Sequence, residues 1–251
     1  VIDYAGGTAV HINAGAAALA LSIVLGRRVV FRKGAHKPHN VPLVLLGAAL
    51  LWFGWFVFNA GAEFLAEGMP GVGLIVVNTL GATAAAILGW MIVEKLKDGK
   101  ATAVGAASGA VAGLVAITPA CANLTPGFAL VLGVVAGVVS ALAVDWKFKL
   151  GYDDSLDVVG LHLVSGLIGT LFLGFFAIDT GLFTGGDFGQ LTVQAIAAFA
   201  VLIYSFVVAL VLGFAIEKTM GFRITSEDEV AGIDNIVHGE EGYQLEEDAR
   251  V

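Results

Sequence analysis

The sequence predicts an all-α polytopic membrane protein, and two observations lead to that prediction. The first is composition: 58% of the 251 residues are hydrophobic and only 14% are charged, whereas soluble domains carry about 25% charged residues. The second is that the apolar residues fall into seven long stretches, each near the length of about 20 residues that spans a bilayer. A chain with a mean hydropathy of +0.89 has too little polar surface to face water as a soluble domain.

The seven predicted spans run over 3–26, 42–64, 72–94, 102–122, 126–146, 156–178 and 190–216. The fourth span carries Gly105, Gly109 and Gly113 at intervals of four, the pattern of a close helix contact. Residues 1–217 are predicted to form the membrane domain and 218–251 a cytoplasmic tail. The single cysteine excludes an intrachain disulfide and a thiolate metal cluster. We expect no metal or cofactor, no enzymatic activity and no nucleic-acid partner.

The basic residues predict how the chain is oriented. All 13 fall in the first, third and fifth connections and in the tail: Arg27, Arg28, Arg32, Lys33, Lys37, Lys95, Lys97, Lys100, Lys147, Lys149, Lys218, Arg223 and Arg250. The alternate connections carry acids instead: Glu63, Glu67, Asp179 and Asp187. Cytoplasmic loops are enriched in Lys and Arg, so the C-terminus is predicted to be cytoplasmic and Val1 to lie outside. Because Val1 directly adjoins a span and is not methionine, we expect a fragment that lacks its N-terminal part.

Two histidines lie inside otherwise apolar spans. His11 is about nine residues in from the outside and His162 about eight from the cytoplasmic side, so both lie about 12–13 Å deep at 1.5 Å per residue. In a hydrocarbon core of about 30 Å both reach the middle and can be neighbours. Ionisable groups in a membrane usually mark a pathway, and paired imidazoles suit a small hydrogen-bonding molecule or a proton relay. The alternative, two packed and hydrogen-bonded core residues, stays open.

The stretches 3–11 and 157–162 share a layout of acid, two residues, glycine and then histidine. They lie on spans of opposite direction, which is typical of an inverted repeat with its site at the repeat interface. Asp3 and Asp157 are placed at helix starts, where a carboxylate caps free N–H groups and meets the positive end of the dipole. This structural role is as well supported as contact with a substrate. Glu63, at a helix end, is expected to be solvated.

Four motifs together resemble the ammonium transporter (Amt/Mep/Rh) family: Asp3-Tyr-Ala-Gly-Gly-Thr-Ala-Val-His11, Gly54-Trp-Phe-Val-Phe-Asn-Ala-Gly61, Ala116-Ile-Thr-Pro-Ala-Cys121 and Asp157-Val-Val-Gly-Leu-His162. In the tail, Asp234-Asn-Ile-Val-His238-Gly239-Glu240-Glu-Gly-Tyr243 resembles microbial members. The family has eleven helices, in two inverted five-helix repeats plus a last long helix, and forms trimers with one pore per subunit. The resemblance implies that the seven spans correspond to the family's helices five to eleven.

The resemblance also implies roles for single residues. His11 and His162 match the paired histidines of the pore. Phe58 matches one of two stacked phenylalanines at the outer entrance, and Trp55 matches an aromatic residue of the pore wall. Asp3 and Asp157 match structural acids near the outer site and at the start of the second histidine helix.

One position departs from many relatives, which have a serine where this chain has Ala62. In those relatives the serine hydroxyl helps to bind the cation outside. We therefore expect weaker ammonium binding at the outer site.

The resemblance implies ammonium/ammonia transport across the plasma (inner) membrane. Ammonium would be recruited outside and deprotonated, and ammonia would pass the histidines. It also implies a homotrimer whose tail couples the subunits and binds a PII-type (GlnK) regulator. Three alternatives remain: a Rh-type gas channel, an ammonium sensor or receptor, and a generic proton-coupled carrier. The microbial tail argues against the first, and a tail of about 35 residues argues against a fused signalling domain.

Overall fold

A computed structural model describes residues 1–31, 38–65 and 69–243. These residues form helices and no strand, which confirms the all-α prediction. The seven apolar helices are α1 (Gly7–Leu25), α2 (Val41–Gly61), α3 (Val72–Asp98), α4 (Ala103–Ile117), α5 (Pro126–Ala143), α6 (Val159–Phe176) and α7 (Phe188–Thr219). A short helix, Trp146–Leu150, follows α5, and the tail contains α8 (Ser226–Ala231).

Six of the seven helices are long and apolar enough to cross a membrane. The exception is α4, whose 15 residues reach only about 22 Å against a core of about 30 Å. The prediction of a continuous span over 102–122 is therefore wrong at its C-terminal end. Pro119 has no N–H with which to continue the helix. The chain turns there instead, and Asn78 Nδ2 donates to the carbonyls of Cys121 (2.9 Å) and Leu124 (2.8 Å). Non-helical backbone at membrane depth is tolerated when protein buries it in this way.

Small residues bring α4 and α5 against α3. A Cβ added at Gly113 of α4 would lie 2.7 Å from the Cβ of Ala86, which confirms the close contact predicted from the glycine spacing. On α5, a Cβ added at Gly133 or Gly137 would overlap the carbonyl oxygen of Ala82 or Ala86, respectively. This second contact was not predicted from the sequence. Such close approach lets packing replace the hydrophobic drive that helices lack in lipid.

The basic residues that the structure describes gather at one end of the bundle. Lys97, at the end of α3, donates to Asp145, just after α5. Arg27, just after α1, donates through Nε to the carbonyl of Gly151 at 2.7 Å. The helix ends that the charge pattern assigned to the cytoplasmic side therefore contact one another. Five of the charged residues used to predict the orientation lie outside the described residues: Arg32, Lys33, Lys37, Glu67 and Arg250.

At the opposite end, Glu63 is not solvated as expected. The residue is only 7% exposed, and its carboxylate accepts a hydrogen bond from the backbone N–H of Gly71 at 2.8 Å. This bond closes the connection between α2 and α3, and it explains why the acid is buried. The expectation for Glu63 was wrong because its partner lies beyond the helix end, where helix periodicity carries no information.

Candidate functional site

The site is built around His11 and His162, whose Nδ1 atoms lie 3.2 Å apart. Each histidine lies in a wide, π-helical turn that opens its helix, over Gly7–Ile12 in α1 and Val159–Val164 in α6. The ring centroids are 5.3 Å apart, and His11 is 4% exposed. The expectation that the two residues can be neighbours is therefore confirmed.

Two glycines allow this approach. A Cβ added at Gly15 would overlap the backbone nitrogen and Cβ of Leu163 and would lie 2.7 Å from its Cα. A Cβ added at Gly166 would lie 3.1 Å from Cγ1 of Ile12. Neither glycine was predicted as a site residue, although a signal was present, since each glycine follows its histidine by four positions. The two histidine helices can therefore cross at backbone distance.

The contact between the rings limits their charge. A neutral imidazole has one donor and one acceptor nitrogen, whereas an imidazolium has two donors. The hydrogen bond between the Nδ1 atoms needs one donor and one acceptor, so the bonded pair carries at most one positive charge. Among the described residues, Nε2 of His11 has no hydrogen-bond partner although it is buried. A small polar molecule that reached this nitrogen would supply the missing hydrogen bond.

Aromatic rings cover His11 from the side of α2. Trp55 stacks on the imidazole with centroids 5.2 Å apart and planes 18° apart. Phe58 lies 6.3 Å from His11 and is 44% exposed. Together with Val10 and apolar residues of α2 these three side chains line a cavity of about 440 Å³. We call this cavity the aromatic vestibule, and the buried imidazole of His11 is part of its lining.

Thr118 holds the indole of Trp55 in place. The indole Nε1–H donates to the threonine hydroxyl at 2.8 Å, and that hydroxyl donates to the carbonyl of Leu114 at 2.7 Å. Thr118 lies within the motif 116–121 that resembles the family, but no role was predicted for it. Its position next to Pro119, where α4 ends, is the sequence signal for a buried turn whose polar groups need partners outside the helix.

The acid at the start of α1 behaves as expected. The carboxylate of Asp3 accepts hydrogen bonds from the backbone N–H groups of Thr8 (2.8 Å) and Ala9 (3.0 Å). It therefore caps the helix that carries His11, and Gly6 makes the turn between them with φ +86°. The positive φ explains the glycine, because other residues rarely adopt it.

The capping role predicted for Asp157 is wrong. Its carboxylate pairs with Nζ of Lys147 at 2.6 Å, and the residue takes the turn position with φ +58°. Asp154 caps α6 instead, accepting from the N–H of Val159 at 2.7 Å. Asp154 precedes His162 by eight residues, as Asp3 precedes His11. The repeat is therefore present, but Asp154 is the counterpart of Asp3, and Asp157 is the counterpart of Gly6.

The remaining predicted residues lie away from the histidine pair. Ala62 is half-buried and begins the turn Ala62–Leu65, one helical turn beyond Phe58. Four predicted tail residues lie in and after an exposed turn: Asp234, His238, Gly239 and Glu240. Tyr243 packs edge-on against His39, before α2, with centroids 5.3 Å apart.

The start of the tail is fixed to the end of α1. Arg223 donates to the carbonyl of Leu25 at 2.7 Å and pairs with Glu229 of α8 at 2.5 Å. Glu229 also accepts from the backbone N–H of Val29 at 2.7 Å. These contacts cap the C-terminus of α1, where a cation is favoured by the helix dipole.

A second ion pair joins the end of α1 to the segment before α6. The guanidinium of Arg28 donates to both carboxylate oxygens of Asp153, at 2.7 and 2.9 Å. Burial alone would raise the pKa of Asp153, but the hydrogen bonds and the charge of Arg28 outweigh burial and hold that pKa below its ordinary value. The pair is therefore charged at neutral pH and connects the ends of both histidine helices.

Residues 1–243 match the family model described as the Ammonium Transporter Family. An ammonium transporter of Mycobacterium tuberculosis is 54% identical over 97% of this chain and 53% of its own length. An ammonium transporter of Bacillus subtilis is 42% identical over 97% of this chain and 61% of its own length. The chain thus spans about half of the first of these relatives and about three fifths of the second.

Solved structures show the same similarity. The crystal structure of Saccharomyces cerevisiae Mep2 is 35% identical with a TM-score of 0.81, over 90% of this chain and 54% of that one. A structure described as a sensor Amt protein is 32% identical with a TM-score of 0.86, over 94% of this chain and 60% of that one. The backbone of this chain therefore follows that of the transporter-like structures over nearly its whole length.

Proposed function

Because the chain belongs to the Ammonium Transporter Family, we propose that it forms the part of an ammonium/ammonia transport path that holds the paired histidines. The observation that carries this proposal is the contact between His11 and His162 at 3.2 Å, with a buried Nε2 of His11 that has no partner among the described residues and an aromatic vestibule that His11 helps to line. A packing role alone does not require a buried, unpartnered imidazole nitrogen.

Recruitment takes place at the aromatic vestibule. The faces of Trp55 and Phe58 attract a small cation because the face of an aromatic ring carries a partial negative charge. Such a contact contributes about 0.5–2 kcal/mol of binding free energy, depending on desolvation. The exposed ring of Phe58 meets ammonium first, and Ala62 supplies no hydroxyl beside it. Recognition at the outer site therefore depends mainly on the aromatic rings.

Ammonium loses its proton before it passes the histidines. Moving an intact ammonium ion into an apolar, buried site is far more costly than moving neutral ammonia. Ammonium therefore transfers its proton to water at or below Trp55 and Phe58, so the N–H bond breaks there, the proton stays on the outer side and neutral ammonia goes on. Ammonia can both donate and accept hydrogen bonds, so it fits a pair of rings that offers one donor and one acceptor at a time.

The path crosses a plasma (inner) membrane with the basic end of the bundle in the cytoplasm. The described Lys and Arg residues gather at that end, where the positive-inside rule places the cytoplasm. The C-terminal tail then lies inside and Ile2 lies outside. This orientation delivers ammonia to the end of α1 and the start of α6, where the pair of Arg28 and Asp153 lies.

The tail acts as a regulatory element in a homotrimer. Arg223 and Glu229 connect the tail to α1, and the ion pair of Arg28 and Asp153 extends this connection toward α6. A PII-type (GlnK) regulator that binds the exposed turn Asp234–His238 would act through these contacts. If removal of residues 226–251 left both uptake and regulator binding unchanged, this role of the tail would be wrong.

The deciding experiment is an ammonium-evoked current on solid-supported membranes, measured with the full natural chain that contains residues 1–251. The variants are His11→Ala, His162→Ala and the double variant, and the matched control is Ser205→Ala, a buried polar residue of α7 outside the site. We expect a wild-type current that the histidine variants lose or whose ion selectivity they change, with no effect of the control.

Two other outcomes would contradict parts of the proposal. A current that is unaffected by both histidine substitutions would make the pair a packing feature. Ammonium binding without any current in the wild-type protein would favour a sensor, the function named for one similar structure.

A further inference from the structure

Gln194 of α7 is fully buried, and all of its hydrogen-bonding positions are filled. Its Oε1 accepts from the backbone N–H of Ile2 at 2.7 Å and from Nε2 of Gln190 at 3.0 Å. Its Nε2 donates to the carbonyls of Ile2 at 2.8 Å and Thr170 at 3.0 Å. A side-chain amide has two donor hydrogens and two acceptor lone pairs, so only Gln or Asn offers this set, and Asn is shorter by one methylene group.

These bonds belong to a closed ring that reaches the helix of His11. Ile2 directly precedes Asp3, whose carboxylate caps the N–H of Thr8. The hydroxyl of Thr8 is hydrogen-bonded to the hydroxyl of Thr170 at 2.7 Å, and the carbonyl of Thr170 returns the ring to Gln194. Both threonines are buried. Thr8 lies three residues before His11, and Thr170 lies eight residues after His162 on α6.

We propose that Gln194 is a positioning residue for the histidine pair. It touches neither imidazole and acts through the cap of α1 and through the carbonyl of Thr170 on α6. By holding both helices to α7 at the end opposite the basic residues, it sets the separation at which the two Nδ1 atoms meet. The inference concerns the geometry of the pair and rests on the proposed function only where transport is the readout.

Three substitutions separate this role from general packing. Gln194→Met keeps the length of the side chain and removes all four hydrogen bonds. Gln194→Glu keeps the acceptors and loses both donors, so it breaks the hydrogen bonds to the carbonyl of Ile2 and the carbonyl of Thr170. The matched control is Gln190→Met, one turn earlier on the same helix, which removes only a bond into Gln194 and leaves the ring closed.

Each variant is made in the full natural chain that contains residues 1–251 and is reconstituted in liposomes. The first readout is the ammonium-evoked current per folded protein. We expect both Gln194 variants to lower the saturating current at least tenfold while the half-saturating concentration stays within twofold, because Trp55 and Phe58 lie outside the ring. We expect Gln190→Met to stay within twofold of wild type in both quantities.

The second readout is solid-state NMR of ¹⁵N-histidine-labelled protein, which reports the hydrogen bond between His11 and His162 directly. The wild type and Gln190→Met should show this bond, and both Gln194 variants should lose it. A folded Gln194 variant with the wild-type histidine signals would overturn the inference. If neither Gln194 variant folds, Thr170→Val decides, because it opens the ring at the hydroxyl pair, and unchanged histidine signals there would overturn the inference as well.

The two proposals fail in different ways. A wild-type protein without any ammonium-evoked current contradicts the proposed transport, while the NMR comparison still tests Gln194. A wild-type current that Gln194→Met and Gln194→Glu leave unchanged contradicts the positioning role and leaves the transport proposal intact.

Discussion

A methyl group at Gly15 should separate the two histidine helices. The Cβ of a Gly15→Ala variant would lie 2.7 Å from Cα of Leu163, whereas carbon atoms in ordinary contact lie about 3.5–4.0 Å apart. The helices must therefore move apart by about 1 Å. Leu163 adjoins His162, so the Nδ1 distance of 3.2 Å should grow beyond the range of a hydrogen bond.

Two free-energy changes set the size of the expected effects of Gly15→Ala, one on stability and one on transport. Overpacking a close contact costs about 1–3 kcal/mol of stability. A hydrogen bond between membrane helices is worth about 0.6 kcal/mol on average and about 1.7 at most, so if the barrier to passage rises by that amount the current should fall about 3- to 20-fold. Unfolding in mixed micelles measures the first term and current per folded protein measures the second.

The control is Gly73→Ala on α3, where an added Cβ meets nothing within 4 Å. It should retain both the stability and the current of the wild type. A Gly15→Ala protein with wild-type unfolding, wild-type current and an intact histidine hydrogen bond would show that the crossing of α1 and α6 does not set the geometry of the site.

Ala62→Ser should lower the half-saturating ammonium concentration about 10- to 150-fold, since a hydrogen bond to a charged group is worth about 1.5–3 kcal/mol; an unchanged value in a titration of the current would refute this. Thr118→Val should destabilise the fold by about 1–3 kcal/mol because it leaves the buried Nε1–H of Trp55 without an acceptor, whereas Thr118→Ser should unfold like the wild type. Asp153 has a lowered pKa in the folded protein. Its contribution to the free energy of unfolding is therefore fully present above the pKa of about 3.9 in the unfolded chain, and it is lost as the pH falls through the lowered pKa of the folded protein. The melting temperature of wild type should drop in that acid range, Asp153→Asn should lack this drop and be less stable at pH 7, and Asp98→Asn, at the exposed end of α3, should keep it.

Hydropathy predicted the helices well because the requirement for a membrane span is mainly one of length and apolar composition. It failed at α4, since the count of apolar residues continues through Thr118 and Pro119 although the helix cannot. A buried, hydrogen-bonded turn is as apolar in composition as a helix. The difference depends on Asn78, a residue 40 positions earlier that supplies the missing hydrogen bonds.

The histidine pair could be predicted because depth in the membrane follows from position along a span. The residues that hold this pair in place could not be predicted from the sequence. The cap of α6 was assigned to Asp157 because Asp157 and Gly160 copy the spacing of Asp3 and Gly6, whereas the structural counterpart is Asp154, three residues earlier. Gln194 gave no signal at all, since a glutamine near a helix start is ordinary and its main partner is Ile2, 192 residues away.

Once the register is corrected, the two histidine helices follow one plan. In each, a capping acid precedes the histidine by eight residues, a residue with positive φ precedes it by five, and a glycine follows it by four. In each, that glycine meets the residue directly after the other histidine, Gly15 against Leu163 and Gly166 against Ile12. The contacts therefore exchange as they do across a two-fold axis.

A two-fold relation brings the same atom of both rings together, which explains why the contact joins Nδ1 to Nδ1. The hydrogen bond itself cannot obey that symmetry, because one nitrogen must donate and the other must accept. Its direction is therefore decided by what each ring meets at its other nitrogen. Because Nε2 of His11 has no partner among the described residues, a molecule that arrives from the aromatic vestibule and bonds to Nε2 fixes the tautomer of His11. Through the shared bond it then fixes the tautomer of His162 as well.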